Sequence, residues 1–181
     1  MKALAGVSSA LLLALVLGAG AAAKQVRPPA PPPNGSTGAL PDGAPVPGAV
    51  LTQGFGCTAF TFEPPDERCL DLGGHFHGGI DLAAPAGTPV LTPAAGRVQT
   101  GYQAGSCGLF AFVDHGGGWS TLYCHLSAVT VAPGELAQAG EPLGEVGSSG
   151  NSTGPHLHFE VHRAGVPVDP IGWLAVLGAV T

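Results

Sequence analysis

Near its C-terminal end the chain reads Gly154-Pro155-His156-Leu157-His158-Phe159-Glu160-Val161. Phe159 and Val161 alternate with polar neighbours ahead of Gly165, the pattern of a strand with one buried face. Residues i and i+2 of a strand share a side, so His156 and His158 project together, roughly 6–7 Å apart at Cβ. Two imidazoles so placed suit a metal site in which one chelates and the other stands beside an open coordination position. The plainer reading is two histidines on a solvated strand face. A second group is His75-Phe76-His77-Gly78-Gly79-Ile80-Asp81. On a straight strand His77 and Asp81 lie about 13 Å apart, too far to share an ion whose ligand bonds are roughly 2.0–2.2 Å. Gly78-Gly79 disfavours a helix, so these glycines must let the backbone bulge or turn and bring the imidazole to the carboxylate. A third candidate is His125, in Tyr123-Cys124-His125-Leu126-Ser127. Strand alternation turns it away from the face that carries Cys124, so a disulfide there backs the sheet while the imidazole faces elsewhere.

The elements that must position these residues are short. Gly and Pro punctuate the chain every 8–12 residues, and the apolar runs are Thr88 to Leu91, Leu109 to Val113, Trp119 to Leu122, Ala128 to Val131 and Leu157 to Val161. A helical period is absent until Ile171 to Val176, so the expected fold is an all-β domain of antiparallel strands. Four cysteines allow three pairings. Cys107 and Cys124 flank His115-Gly116-Gly117-Gly118 about symmetrically, as the ends of a hairpin would, which predicts Cys107–Cys124 across the strands. Cys57–Cys69 then closes the segment Thr58 to Arg68, with Glu63-Pro64-Pro65-Asp66 as a loop.

Met1-Lys2-Ala3, the apolar run Leu11 to Leu17 and the small residues Ala21-Ala22-Ala23 read as a secretory signal peptide over 1–23. The next segment, 24–48, holds eight prolines with Gly, Ser and Asn between them and reads as an extended, partly stiff tether. Residues 49–175 are then one ordinary domain, with 176–181 a tail. The chain carries a net charge of −6. Removal of Lys2 leaves five basic against twelve acidic residues, net −7, the wrong sign for a phosphate backbone. No nucleic acid is expected as a partner, and no membrane span in the mature chain.

The blocks His77 to Val90, Tyr123 to Ser127 and Gly150 to Val161, in this order, resemble the LytM/lysostaphin-type zinc endopeptidases of bacterial cell walls, over roughly Gly54 to Pro170. The resemblance implies an antiparallel β fold with a long narrow groove and one zinc per chain at its floor. It implies cleavage of peptide bonds in peptidoglycan stem peptides or cross-bridges, by a monomer that is secreted, periplasmic or cell-wall associated. Position by position, His77, Asp81 and His158 are the implied zinc ligands, and His125 and His156 the two unligated catalytic histidines. Three protein ligands leave a fourth place open, as a catalytic zinc site requires.

Without a His-Glu-x-x-His arrangement, proton transfer falls to a histidine, whose unperturbed pKa of about 6.5 suits it. Which of the pair is base and which steadies the oxyanion stays open. His75 and His162 share strand parity with ligands as possible groove-lining residues, His115 is expected to be structural, and Glu160 could orient a ligand from behind. Gly147 to Gly154 resembles a groove wall. The tyrosine that some relatives carry shortly before the first ligand is missing from Cys69 to Gly74. Two other readings compete: a non-catalytic cell-wall regulator that activates an amidase, which typically loses zinc ligands, and a secreted metalloprotease acting on protein substrates.

Overall fold

The structure, a computed structural model, describes residues 43–178. The expected signal peptide, most of the tether and the last three residues lie outside the described residues. Among the described residues thirteen strands form: β1 (Val50–Gln53), β2 (Gly56–Thr58), β3 (His75–His77), β4 (Ile80–Ala83), β5 (Pro89–Leu91), β6 (Gly96–Gln103), β7 (Gly108–Gly116), β8 (Trp119–Leu126), β9 (Ala128–Val129), β10 (Leu136–Ala137), β11 (Pro142–Glu145), β12 (His156–Arg163) and β13 (Val166–Val168). A 3-10 helix spans Glu67–Leu72, and one helix, α1 (Pro170–Gly178), closes the described chain.

The main sheet runs β1-β4-β12-β8-β7-β6-β10, with β13 also on β12; β5-β11-β9 form a second sheet and β2-β3 a small third one. Every pairing is antiparallel. One face of the main sheet is dry. Leu157, Phe159 and Val161 of β12, Ile80 and Leu82 of β4 and Tyr123 of β8 join Val90, Leu143 and Val146 in a fully buried core. The other face of β12, carrying His156, His158 and Glu160, is only half-buried, as period-2 alternation predicts.

Composition misplaces both ends of the domain. Ala44, Pro45 and Val46, assigned above to the tether, are buried; the Leu91 N–H donates to the Pro45 carbonyl at 2.8 Å and Val46 belongs to the core. At the other end α1 continues through residues 176–178. Proline-rich composition marks where a chain cannot build regular structure, not where three of its residues find a sheet to lie against.

Candidate metal centre and its histidine pair

The turn at Gly78-Gly79 does what the spacing of His77 and Asp81 requires. It carries the chain from β3 into β4, and a Cβ on Gly79 would lie 2.3 Å from the Phe159 carbonyl oxygen. Only glycine lets this backbone come so close to β12. Asp81 then pairs directly with His158 in the β4–β12 register, and His77 reaches across to both.

Each imidazole is fixed by what its far nitrogen touches. His77 Nδ1 lies 2.8 Å from the Gly54 carbonyl, which can only accept, so Nδ1 carries the proton and Nε2 is bare. His158 Nε2 lies 3.0 Å from Glu160 Oε1, so Nε2–H donates there and Nδ1 is bare. The two bare nitrogens are 2.9 Å apart, and Asp81 Oδ1 lies 3.2 Å from the first and 2.9 Å from the second. Three lone-pair donors so close repel one another unless a cation or a proton sits among them. A tetrahedral ion with bonds of roughly 2.0–2.1 Å sets its donors about 3.3 Å apart. The triangle matches that edge, and two imidazoles with one carboxylate fit a divalent transition-metal ion.

The electrostatics point the same way. Burial by itself would raise the Asp81 pKa, but when a proton takes the place of a cation in the triangle, hydrogen bonds from His158 and His77 outweigh it and hold the carboxyl far below the usual carboxylate range. Burial opposes a charge on His158, yet Asp81 and Glu160 on either side raise its pKa to about 9. A pocket that favours a proton on a buried imidazole favours a metal cation in its place. Glu160 in turn is gripped by His158 and by His162, whose Nε2 lies 2.5 Å from Oε2; against the opposing effect of burial the two rings keep its pKa low.

His125 and His156 stand beside this triangle, their rings 4.8 Å apart, with His125 6.0 Å from the ring of His158. His156 Nδ1 donates to the Gly154 carbonyl at 2.8 Å, and His125 Nδ1 to the Ser149 carbonyl at 2.8 Å. Both Nε2 atoms are therefore bare, and that of His156 is 3.8 Å from Asp81 Oδ1. Burial drops the His125 pKa to about 4, against the weaker pull of the Ser149 carbonyl, so the ring is a neutral acceptor.

The route by which His125 arrives differs from strand alternation. Cys124 pairs with His158 and so shares its face; Cys107–Cys124 lines the groove instead of backing the sheet, and His125 lines it too. The β7–β8 register slips between Leu109 and Ala111, and His125 takes φ 64°. A bulge with a left-handed residue rotates one side chain out of the alternating order, so consecutive residues face the same way.

His125, His156 and His158 line a groove of about 690 Å³, whose walls include Phe60, Phe62, Asn151 and Thr153, and His77 and Asp81 meet His158 at its edge. The loop before β12 is thus part of the wall, as expected, and it also supplies the carbonyls that orient the histidine pair. Backbone carbonyls leave no mark in a sequence, so Gly54, Ser149 and Gly154 could not be read in advance. His75 turns to the Glu63 carbonyl at 2.7 Å, His162 serves Glu160, and His115, on β7 itself, bonds the Ala95 carbonyl at 2.9 Å beside the Trp173 ring. The cysteines pair as expected, Cys57–Cys69 and Cys107–Cys124.

A groove on an antiparallel sheet, with a three-donor cation triangle and a histidine pair beside it, is the architecture of a metallopeptidase domain. Residues 75–170 match peptidase family M23, and the chain belongs to that family. It is 47% identical over 95 residues to the DD-carboxypeptidase/endopeptidase Mpg of Neisseria meningitidis, covering 52% of this chain and 22% of that protein. It is 39% identical over 93 residues to the peptidoglycan DD-endopeptidase ShyA of Vibrio cholerae, covering 51% and 22%. Among solved structures it resembles the catalytic domain, crystallised as a point mutant, of the prophage-encoded M23 protein EnpA from Enterococcus faecalis. That match has a TM-score of 0.58 and 32% identity, and covers 70% of this chain and 94% of that one. The chain spans about a fifth of the length of the two curated relatives.

Proposed function

We propose that the domain is a zinc-dependent endopeptidase that hydrolyses peptide bonds in the cross-links of bacterial peptidoglycan. The observation that carries this reading is the triangle of bare donors, His77 Nε2, Asp81 Oδ1 and His158 Nδ1, which reaches the groove through His158 beside two further imidazoles with bare Nε2 atoms. Zinc held there supplies a Lewis acid that acidifies water and polarises a carbonyl. His125 and His156 begin as acceptors, because each has already given its Nδ1–H to a carbonyl. Either can take a proton from the attacking water, and the imidazolium so formed can return it to the leaving amine.

Two disulfides suit an oxidising compartment, and together with the expected signal peptide they support a protein that is secreted, periplasmic or cell-wall associated. No helix among the described residues is long and apolar enough to cross a membrane.

Mass spectrometry of muropeptides released from defined peptidoglycans tests the proposal: cross-linked species should fall, new amine and carboxyl ends should appear, a chelator should stop this and zinc restore it. Intact cross-links after treatment with zinc-loaded protein would refute it. A further expectation concerns Glu160, which orients His158 from behind. Glu160→Gln should weaken zinc binding about 10- to 100-fold, as loss of a carboxylate behind a ligating histidine does, read by competition with a chromogenic chelator.

A further inference from the structure

Two carboxylates on the groove wall have no part in this scheme, Asp66, which is paired with Arg68, and Glu63. Glu63 sits in the segment that Cys57–Cys69 closes, and its place is fixed at several points. Its N–H donates to the Phe60 carbonyl at 3.1 Å, and the Phe76 N–H donates to the Pro64 carbonyl at 3.0 Å. The His75 Nδ1–H donates to the Glu63 carbonyl at 2.7 Å. The segment is thus tied to β3, the strand that ends in His77. The side chain, 17% exposed, accepts a hydrogen bond from Gln53 Nε2 at 3.1 Å. Its Oε1 lies 3.9 Å from His77 Nε2, on the groove wall.

The ligand atoms that converge are those of His77, Asp81 and His158, without Glu63, and this points to a role beside the donor set. A fourth donor on a tetrahedral ion would lie about 3.3 Å from its neighbours, and the donors that do converge are spaced 2.9–3.2 Å. Glu63 therefore stands just outside the donor set, at the His77 corner. His156 approaches a different corner, with Nε2 3.8 Å from Asp81 Oδ1. Amide hydrolysis forms one C–O bond, breaks one C–N bond and moves both protons of one water to the departing nitrogen, leaving a carboxylate and an ammonium. The histidine pair faces the incoming water from one corner and accounts for one proton. An acceptor at another corner can hold the second.

On the peptidase reading above, we propose that Glu63 is a further catalytic residue, which accepts a hydrogen bond from the attacking water and then its second proton, and passes it to the leaving amine. Gln53 and the Cys57–Cys69 segment position its carboxylate.

The test compares wild type, Glu63→Gln and Glu63→Asp on one defined cross-linked muropeptide. Thermal melts check folding, and chelator competition measures zinc affinity. Glu63→Gln should lower kcat about 100-fold or more, the range of a lost proton-transfer group, with KM, zinc affinity and melting temperature at wild-type values. Glu63→Asp, which keeps the carboxylate, should recover part of kcat. Wild-type kcat in Glu63→Gln would overturn the proposal. So would a loss of zinc affinity of about tenfold or more, which would make Glu63 a member of the metal's own shell. A rise in KM alone would also overturn it, marking a substrate-ammonium site instead. Failure of the peptidase reading looks different: wild-type protein itself would leave the muropeptide uncut.

Discussion

His158→Ala is expected to remove zinc binding and turnover together. His158 is the donor that joins the two halves of the site. Its Nδ1 completes the triangle with His77 and Asp81, and its Nε2–H engages Glu160. Without it two donors remain, and Glu160 keeps only His162. A Lewis acid contributes several kcal/mol to the transition state and each 1.36 kcal/mol is tenfold in rate, so kcat/KM should fall about 10³-fold or more. Thermal stability gives a second readout. Zinc at about 100 times its dissociation constant should stabilise the wild-type fold by about 2.7 kcal/mol through mass action, and this zinc-dependent shift should vanish in His158→Ala. A variant that keeps both zinc and the shift would mean that the triangle is not the metal site.

How far the sequence alone leads depends on what holds each residue. Strand β12 could be read outright, because Leu157, Phe159 and Val161 must point one way and His156, His158 and Glu160 the other. The union of His77 with Asp81 could be read from Gly78-Gly79, since no regular element gives that pair a common target. His125 could be named but not aimed. Its orientation comes from a bulge and a φ of 64°, and nothing in Tyr123-Cys124-His125-Leu126-Ser127 announces a left-handed residue; alternation therefore set Cys124 and His125 on opposite faces when both line the groove. Glu63 reads only as part of a loop because its place at the groove depends on where the 57–69 segment folds over, a long-range outcome that local pattern does not carry. The same holds for Ala44 to Val46, whose burial is decided by the edge of β5.

The second large effect separates the histidine pair from the donors. His125→Ala and His156→Ala should each lower kcat by about 10² to 10⁴, the contribution of a positioned acid or base, while zinc content stays at the wild-type level, because neither ring belongs to the triangle. The double variant should be little worse than the weaker single one, since groups that serve one proton transfer are strongly non-additive. Retained activity in both single variants would remove the pair from the mechanism.

Stability adds an independent check on His125, made on chelated protein so that metal linkage does not enter. Its folded pKa of about 4 lies below the ordinary imidazole value of 6.5, so as pH falls the unfolded chain takes up the proton first. The neutral buried ring thus contributes stability that is present above pH 6.5 and is lost as pH drops through 4. His125→Ala should flatten the urea-midpoint profile across that window. Equal slopes in the two proteins would mean that burial does not keep His125 neutral, and its role as the waiting acceptor would go with it.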